Sequence, residues 1–405
     1  MAVNLAGLPA LHPVAGMRLG TACAGIKKPG RRDLVVMELC AGATCAALFT
    51  QNAFCAAPVN VARVHLQESA PRFLLVNTGN ANAGTGAQGL SDAESCCEVL
   101  AQLAGCDVTE VLPFSTGVIG EPLPLEKITA ALPAAYAALT ATGWEDAAHG
   151  IMTTDTVAKG ATRRVDIAGA TLTVTGIAKG SGMIRPDMAT MLAFIATDAH
   201  VAQELLQECL RGAVQSSFNR ITVDGDTSTN DACVLIATGQ SGPHIDGAQH
   251  PAYPALRAAV SEVCTELAQT IVRDGEGATK FITVNVEGGA SEAECAAVAY
   301  AVAHSPLVKT AFFACDPNWG RILAAVGRAG VAHLDLEKIT IHLDEVCIVR
   351  DGGRAPGYEE RLGQEVMRRP EITIRIDLAR GAHGTTVWTC DFSYDYVRIN
   401  AEYRT

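Results

Sequence analysis

Thr190 stands in the stretch KGSGMIRPDMATMLAFIATDA (179–199), where a glycine-rich turn bearing one lysine gives way to an apolar run. A threonine hydroxyl is a weak nucleophile at neutral pH unless a base adjoins it, and one solution uses the nucleophile's own N-terminal amine. That amine titrates near ~7.7–8.0 when unperturbed. An internal threonine has no free amine, so this chemistry requires the chain to break at Ala189–Thr190. The flanking residues permit such a break. Gly180 and Gly182 allow unusual backbone angles. Pro186 restricts Arg185 to extended conformations, and Ala189 leaves the scissile carbonyl unhindered. Most threonines ahead of an apolar run are caps or sheet residues, so the residues alone make this cleavage possible without favouring it.

Other constellations fail on their context. GTGAQG (84–89) fits G-x-G-x-x-G, but it lies six residues beyond the strand expected at 72–77. Asp107 and Glu110 precede the next apolar run, where a dinucleotide site wants an acid at the end of one. Asp224, Asp226, Ser228 and Asn230 in DGDTSTND alternate like calcium ligands. Thr229 stands where that loop needs Gly and Leu235 where it needs Glu, so a hydrogen-bonded Asx/ST turn is expected. The ten histidines include no H-E-x-x-H, and G-x-S-x-G is absent. The fourteen cysteines form no C-x-x-C pair and lie mostly in apolar contexts, which reads as reduced thiols of a cytoplasmic protein.

The elements that must position these residues mix strands and helices throughout. Strands are expected at 72–77 and from 110 into a loop ending at 120, and two more, RRVDIAG and ATLTVTGIA, lead into the glycine-rich turn. Helices are expected at 91–105, with Ser91 as N-cap and Glu94 three residues on, and at 125–139, 144–154, about 201–217, 251–273 and 291–304. The class is α/β or α+β, with a domain boundary near 280.

The bulk properties exclude several functions. A chain of 405 residues suggests two or three domains. Its net charge of −12, without a long basic block, argues against a nucleic-acid partner. No run of about 18 apolar residues exists to span a membrane. The N-terminus lacks a basic region and is broken by prolines, so a signal peptide is not expected.

KGSGMIRPDMATMLAFIATDA closely resembles the cleavage signature of the ornithine acetyltransferase (glutamate N-acetyltransferase) family of arginine biosynthesis. NTGNANAGTG (77–86), STGVIG (115–120), MTTDT (152–156), SFNRITVDGDTSTND (217–231), RDGEGATKF (273–281), DPNWGRI (316–322) and NAEYRT (400–405) resemble the family's other blocks, in the family's order. The resemblance implies an α-β-β-α sandwich of the self-cleaving type, residues 1–280, with a smaller C-terminal α/β domain, 281–405. It implies cleavage at Ala189–Thr190 into an α chain 1–189 and a β chain 190–405, assembled as α2β2. The activity implied is acetyl transfer from N2-acetyl-L-ornithine to L-glutamate through an acetyl ester on Thr190. No metal or prosthetic group is implied, and acetyl-CoA is a candidate co-substrate. Thr116 and Gly117 match the oxyanion hole. Thr153, Lys179, Thr190, Glu276, Asn400 and Thr405 match the substrate-binding positions, and Arg185 and Asp187 are expected to tune the cleavage rate. The nearest alternative is an amidase or aminopeptidase of the same self-cleaving fold.

Overall fold

The computed structural model describes residues 2–167, 169–185 and 191–403. Ala189, Thr190, Asp187 and Thr405 lie outside the described residues. The chain divides into two compact units. The larger comprises Gly7–Asn219 and Asp226–Ile271, and the smaller comprises Met1–Ala6, Arg220–Gly225 and Val272–Thr405.

In the larger unit the strands are β1 (Met17–Ala22), β2 (Leu34–Leu39), β3 (Thr44–Phe49), β4 (Phe73–Asn80), β5 (Val111–Val118), β6 (Lys159–Ile167), β7 (Ala170–Lys179), β8 (Leu192–Val201) and β9 (Ala232–Ile245). The helices are α1 (Ala57–Glu68), α2 (Gly86–Ala104), α3 (Leu125–Ala137), α4 (Trp144–Gly150), α5 (Gln203–Ser216) and α6 (Tyr253–Arg273). They build an α-β-β-α sandwich. One sheet has the order β1-β2-β4-β5 and the other β3-β9-β8-β7-β6.

The side-chain period of two along a strand explains why these segments are apolar on both faces. Leu74, Val76, Val35 and Met37 point into the core shared by the two sheets. Their neighbours Phe73, Leu75, Leu34 and Val36 point the other way, onto Cys97 and Leu100 of α2 and Ile128 and Leu132 of α3. Across the shared core Phe114 of β5 meets Phe194 of β8 edge to face at 5.1 Å. On the far side of the second sheet, Gly176 of β7 leaves room for Val263 and Leu267 of α6.

One expected boundary moves. Helix α2 starts at Gly86, not at Ser91, and Ser91 is not its cap. In GTGAQG, Gly84 and Gly89 serve close packing and Gly86 serves its left-handed backbone. Gly84 and Gly86 have φ of 73° and 61°. A Cβ on Gly89 would lie 1.9 Å from Thr85 Oγ1 and 2.5 Å from Asn82 Oδ1. Thr85 Oγ1 donates to Asn82 Oδ1 and Asn82 Nδ2 donates to the Gly89 carbonyl, both at 2.8 Å. Those local side-chain bonds hold the start of a helix in residues whose intrinsic propensity is poor.

The smaller unit holds β10 (Phe281–Gly289), β11 (Thr340–Leu343), β12 (Val346–Arg350), β13 (Gly353–Arg354), β14 (Glu371–Asp377) and β15 (His383–Cys390). They form one sheet in the order β13-β12-β11-β14-β10-β15. Its helices are α7 (Glu292–Ala303), α8 (Pro306–Phe313), α9 (Trp319–Gly327), α10 (Glu360–Met367) and α11 (Tyr394–Ala401). Val284, Ile341, Ile374 and Val387 of the sheet pack with Val298, Val302, Phe312 and Val326 of the helices. Ser291 caps α7 by accepting from the Glu294 N–H at 3.2 Å. Among the described residues no helix is long and apolar enough to cross a membrane.

Candidate active site

The site is built where β4 and β5 end side by side in the larger unit. The two strands pair in parallel, Thr78 opposite Thr116 and Gly79 opposite Gly117. The register then breaks, with Asn80 opposite both Thr116 and Val118. Gly117 has φ of 141°. A Cβ there would stand 2.2 Å from the Gly79 carbonyl carbon and 2.4 Å from the Asn80 nitrogen, so only glycine fits. Asparagine side chains lock this irregular turn. Asn77 Nδ2 donates to the Asn80 carbonyl at 2.9 Å. Asn230 Nδ2 donates to the carbonyls of Ala81 at 2.6 Å and Ser115 at 2.9 Å. Asn230 N–H in turn bonds Ser228 Oγ at 3.2 Å, which makes DGDTSTND the hydrogen-bonded turn its sequence suggests.

Lys179, at the end of β7, meets this turn. Its Nζ donates to Thr116 Oγ1 at 3.3 Å, and both residues are buried. An ammonium can only donate, so Thr116 Oγ1 accepts from it and keeps its own proton for another acceptor. The structure thus brings Thr116, Gly117 and Lys179 together into one cradle with a cation and a free hydroxyl donor. Such a cradle suits an anionic oxygen.

Behind it sits Asp155, whose importance the sequence left unmarked. Asp155 accepts from the Gly180 N–H at 2.8 Å, from the Thr153 N–H at 2.8 Å and from Lys159 Nζ at 2.6 Å. The Asp155 and Lys159 side chains have no exposed surface. Burial opposes ionisation of Asp155, but Lys159, Lys179 and the hydrogen bonds outweigh it and hold the carboxyl well below the usual carboxylate range. Through Asp155 the structure also places Thr153 in this network, and Arg31 donates to the carbonyls of Met152 and Thr153. Asp155 lies inside the family-like block MTTDT without being singled out there, and its i,i+4 spacing to Lys159 was the other signal. It falls on a loop entering β6, not on a helix, so periodicity could not flag it.

A second buried acid was also missed. Asp231 immediately precedes β9, is 3% exposed, and its Oδ2 has no hydrogen-bond partner among the described residues. Burial raises its carboxyl well above the ordinary range, and Ser228 and Lys179 oppose this without reversing it. Within the smaller unit, Glu276 is buried and its Oε2 accepts from Asn400 Nδ2 at 2.8 Å. That pair is fixed by its loop: Asp391 accepts from the N–H groups of Thr279 at 2.8 Å and Lys280 at 2.9 Å, and Ser393 Oγ donates to the Gly277 carbonyl at 2.6 Å. Glu276 and Asn400 are thus brought together. Thr190, Ala189 and Thr405 are the site residues outside the described part. Among the described residues no group of three His, Cys, Asp or Glu side chains is placed to hold a metal ion.

Two known proteins resemble the chain over its whole length, and a solved structure resembles half of it. The arginine biosynthesis bifunctional protein ArgJ of Pseudomonas fluorescens (strain Pf0-1) is 60% identical over 406 residues, covering 100% of both chains. That of Pseudomonas syringae pv. tomato is 61% identical over 406 residues, again covering 100% of both. Among solved structures, the arginine biosynthesis bifunctional protein argJ from Bacillus halodurans is similar with 38% identity and a TM-score of 0.48, covering 50% of this chain and 95% of that one. The sequence pattern of the ArgJ family itself matches residues 18–405, and on these grounds the chain belongs to the ArgJ family.

Proposed function

We propose that this chain is a glutamate N-acetyltransferase of arginine biosynthesis, moving the acetyl group from N2-acetyl-L-ornithine to L-glutamate. The observation that carries the reading is the buried cradle of Thr116, Gly117 and Lys179, in a chain whose relatives are named bifunctional proteins of arginine biosynthesis.

The active nucleophile is made by self-cleavage. Thr190 Oγ attacks the Ala189 carbonyl carbon, the Ala189–Thr190 C–N bond breaks, and the nitrogen takes up a proton to become an amine. Water hydrolyses the resulting ester, leaving chains 1–189 and 190–405. In turnover the Thr190 amine takes the hydroxyl proton as Oγ attacks the acetyl carbonyl of acetylornithine. The oxyanion receives hydrogen bonds from the Thr116 hydroxyl and the Gly117 N–H. The amine then returns the proton to the departing ornithine nitrogen. Glutamate's amine attacks the acetyl-threonine ester in the second half-reaction, which makes the kinetics ping-pong.

Lys179 offers a cation to a substrate carboxylate, and Glu276 an anion to an ammonium. Thr153, Asn400 and Thr405 complete the proposed binding set. The chemistry calls for no metal or prosthetic group. Acetyl-CoA as a second acetyl donor to glutamate, an α2β2 assembly and a cytoplasmic location belong to the same proposal.

Intact mass after expression tests the core of it. Wild type should give two fragments, the second starting at Thr190, and Thr190→Ala a single uncut chain without transfer. A full-length wild-type protein that transfers acetyl groups would sink the mechanism. Against the amidase alternative, glutamate should speed acetylornithine consumption well above the rate of its hydrolysis.

A further inference from the structure

Lys179 joins the two sheets of the larger unit at the cradle. It ends β7 in the five-stranded sheet, while Thr116 lies in β5 of the four-stranded sheet, and its Nζ donates to Thr116 Oγ1 at 3.3 Å. The backbone that carries it is fixed. Lys179 pairs with Leu192 of β8, and the Gly180 N–H that follows it donates to Asp155 Oδ1 at 2.8 Å. Two buried acids act on the ammonium electrostatically. Asp155 is the ionised one, held well below the usual carboxylate range, whereas burial drives the Asp231 carboxyl toward its neutral form.

A hydroxyl has one proton and two lone pairs, and its O–H bond rotates. Unconstrained, the Thr116 proton can turn toward any acceptor in reach, and only one direction serves an oxyanion. An ammonium set against one lone pair excludes the directions toward itself, because it has nothing to accept with. Its charge also polarises the O–H bond and so strengthens the donor. A donor aimed in advance needs no reorganisation when negative charge develops on the substrate.

We propose that Lys179 is a positioning residue of the oxyanion hole, holding the Thr116 hydroxyl so that its proton faces the oxyanion. This task is separate from lending charge to a substrate carboxylate. It rests on the reading of Thr116 as an oxyanion donor given above. Because the ammonium acts through Thr116, its loss should be nearly silent once the Thr116 oxygen is gone.

The probe is p-nitrophenyl acetate, an acetyl donor without a carboxylate. The nucleophile takes the acetyl group and p-nitrophenolate leaves, so an oxyanion forms while Lys179 has no carboxylate to bind. Lys179→Met and Thr116→Val are compared singly and together, with intact mass confirming that each enzyme is cut. Lys179→Met should lower kcat on this ester by about tenfold, less than the ~10²–10³ lost with the donor itself. In the Thr116→Val background it should change kcat by no more than about twofold, the non-additivity of residues in contact. Lys179→Arg, which keeps a cationic donor, should recover part of the rate. Acetylornithine run in parallel separates the two tasks, since lost carboxylate binding raises KM and lost positioning lowers kcat. A Lys179→Met enzyme with wild-type kcat, changed only in KM for acetylornithine, overturns the proposal. So does full additivity with Thr116→Val. A Thr116→Val enzyme with wild-type kcat removes the oxyanion reading of Thr116, and this proposal with it. If Lys179→Met stays uncut, Lys179→Gln takes its place, and failure of both to cut would assign Lys179 to the cleavage step and overturn the proposal as well.

Discussion

At the scale of single residues, Gly117 and Thr116 carry the most specific expectations. A Cβ at Gly117 would collide with the backbone of Gly79 and Asn80, not with a side chain able to turn away. Gly117→Ala should therefore move the β4–β5 turn, lowering Tm and turnover together. Thr116→Val keeps the volume and removes only the hydroxyl. Loss of one oxyanion donor costs ~10²–10³ in turnover, so kcat should fall by about that factor with Tm little changed. Thr116→Ser should restore most of the rate, since it keeps the oxygen that accepts from Lys179. A Thr116→Val enzyme with wild-type kcat, measured on acetylornithine and glutamate, would remove Thr116 from the oxyanion hole.

At the scale of elements, Asp155 is the joint between the loop that carries Thr153, the start of β6 and the end of β7. Removing one partner of a buried pair costs about 3–5 kcal/mol, because the remaining charge is stranded. Asp155→Asn should accordingly lower stability by about that amount, and Asp155→Asn with Lys159→Met should recover part of it, as thermal or urea unfolding would show. Full additivity of the two substitutions would contradict a coupled pair. Asp155 and Glu371 also set the response to acid. Glu371 is held at about 2, chiefly by its hydrogen bond to Arg273, against burial, and bonds Arg273 Nη1 and Nη2 at 2.8 and 2.9 Å. Both carboxyls have folded-state values below their unfolded ones, so their stabilisation is complete above about pH 4 and is lost as pH falls toward the folded values. Tm should drop between about pH 4 and pH 2, and Glu371→Gln should make that drop shallower.

These elements also mark where the sequence was legible. Strands such as 73–76 announce themselves by apolar runs, and the helix expected at 291–304 is observed at 292–303. The start of α2 did not announce itself, because local side-chain bonds of Asn82 and Thr85 hold it in glycine-rich sequence. Thr116, Gly117, Lys179 and Glu276 were named as site candidates by resemblance. Asp155 and Asp231 were not, since what distinguishes them is burial and the partners they have or lack, properties of the folded chain.

At the scale of the whole molecule, the question is why a chain cut at 189–190 should stay together. In the larger unit the segment before the cut and the segment after it share a sheet. Six residue pairs join β7 to β8, from Val174 opposite Thr197 to Lys179 opposite Leu192, and six more join β3 to β9. Their side chains share one core: Cys45, Ala43 and Ile177 from before the cut lie with Phe194, Ala196, Val234 and Ile236 from after it. Breaking one peptide bond removes none of these contacts. Separating the fragments would expose a sheet edge on each and most of an apolar core to water, as in an obligate interface. The cut protein should therefore elute from a sizing column at the same volume as uncut Thr190→Ala, and part into two chains only in denaturant. Fragments that resolve without denaturant at micromolar concentration would mean that this shared sheet does not hold them, and that some other contact must be sought for the assembly of the active enzyme.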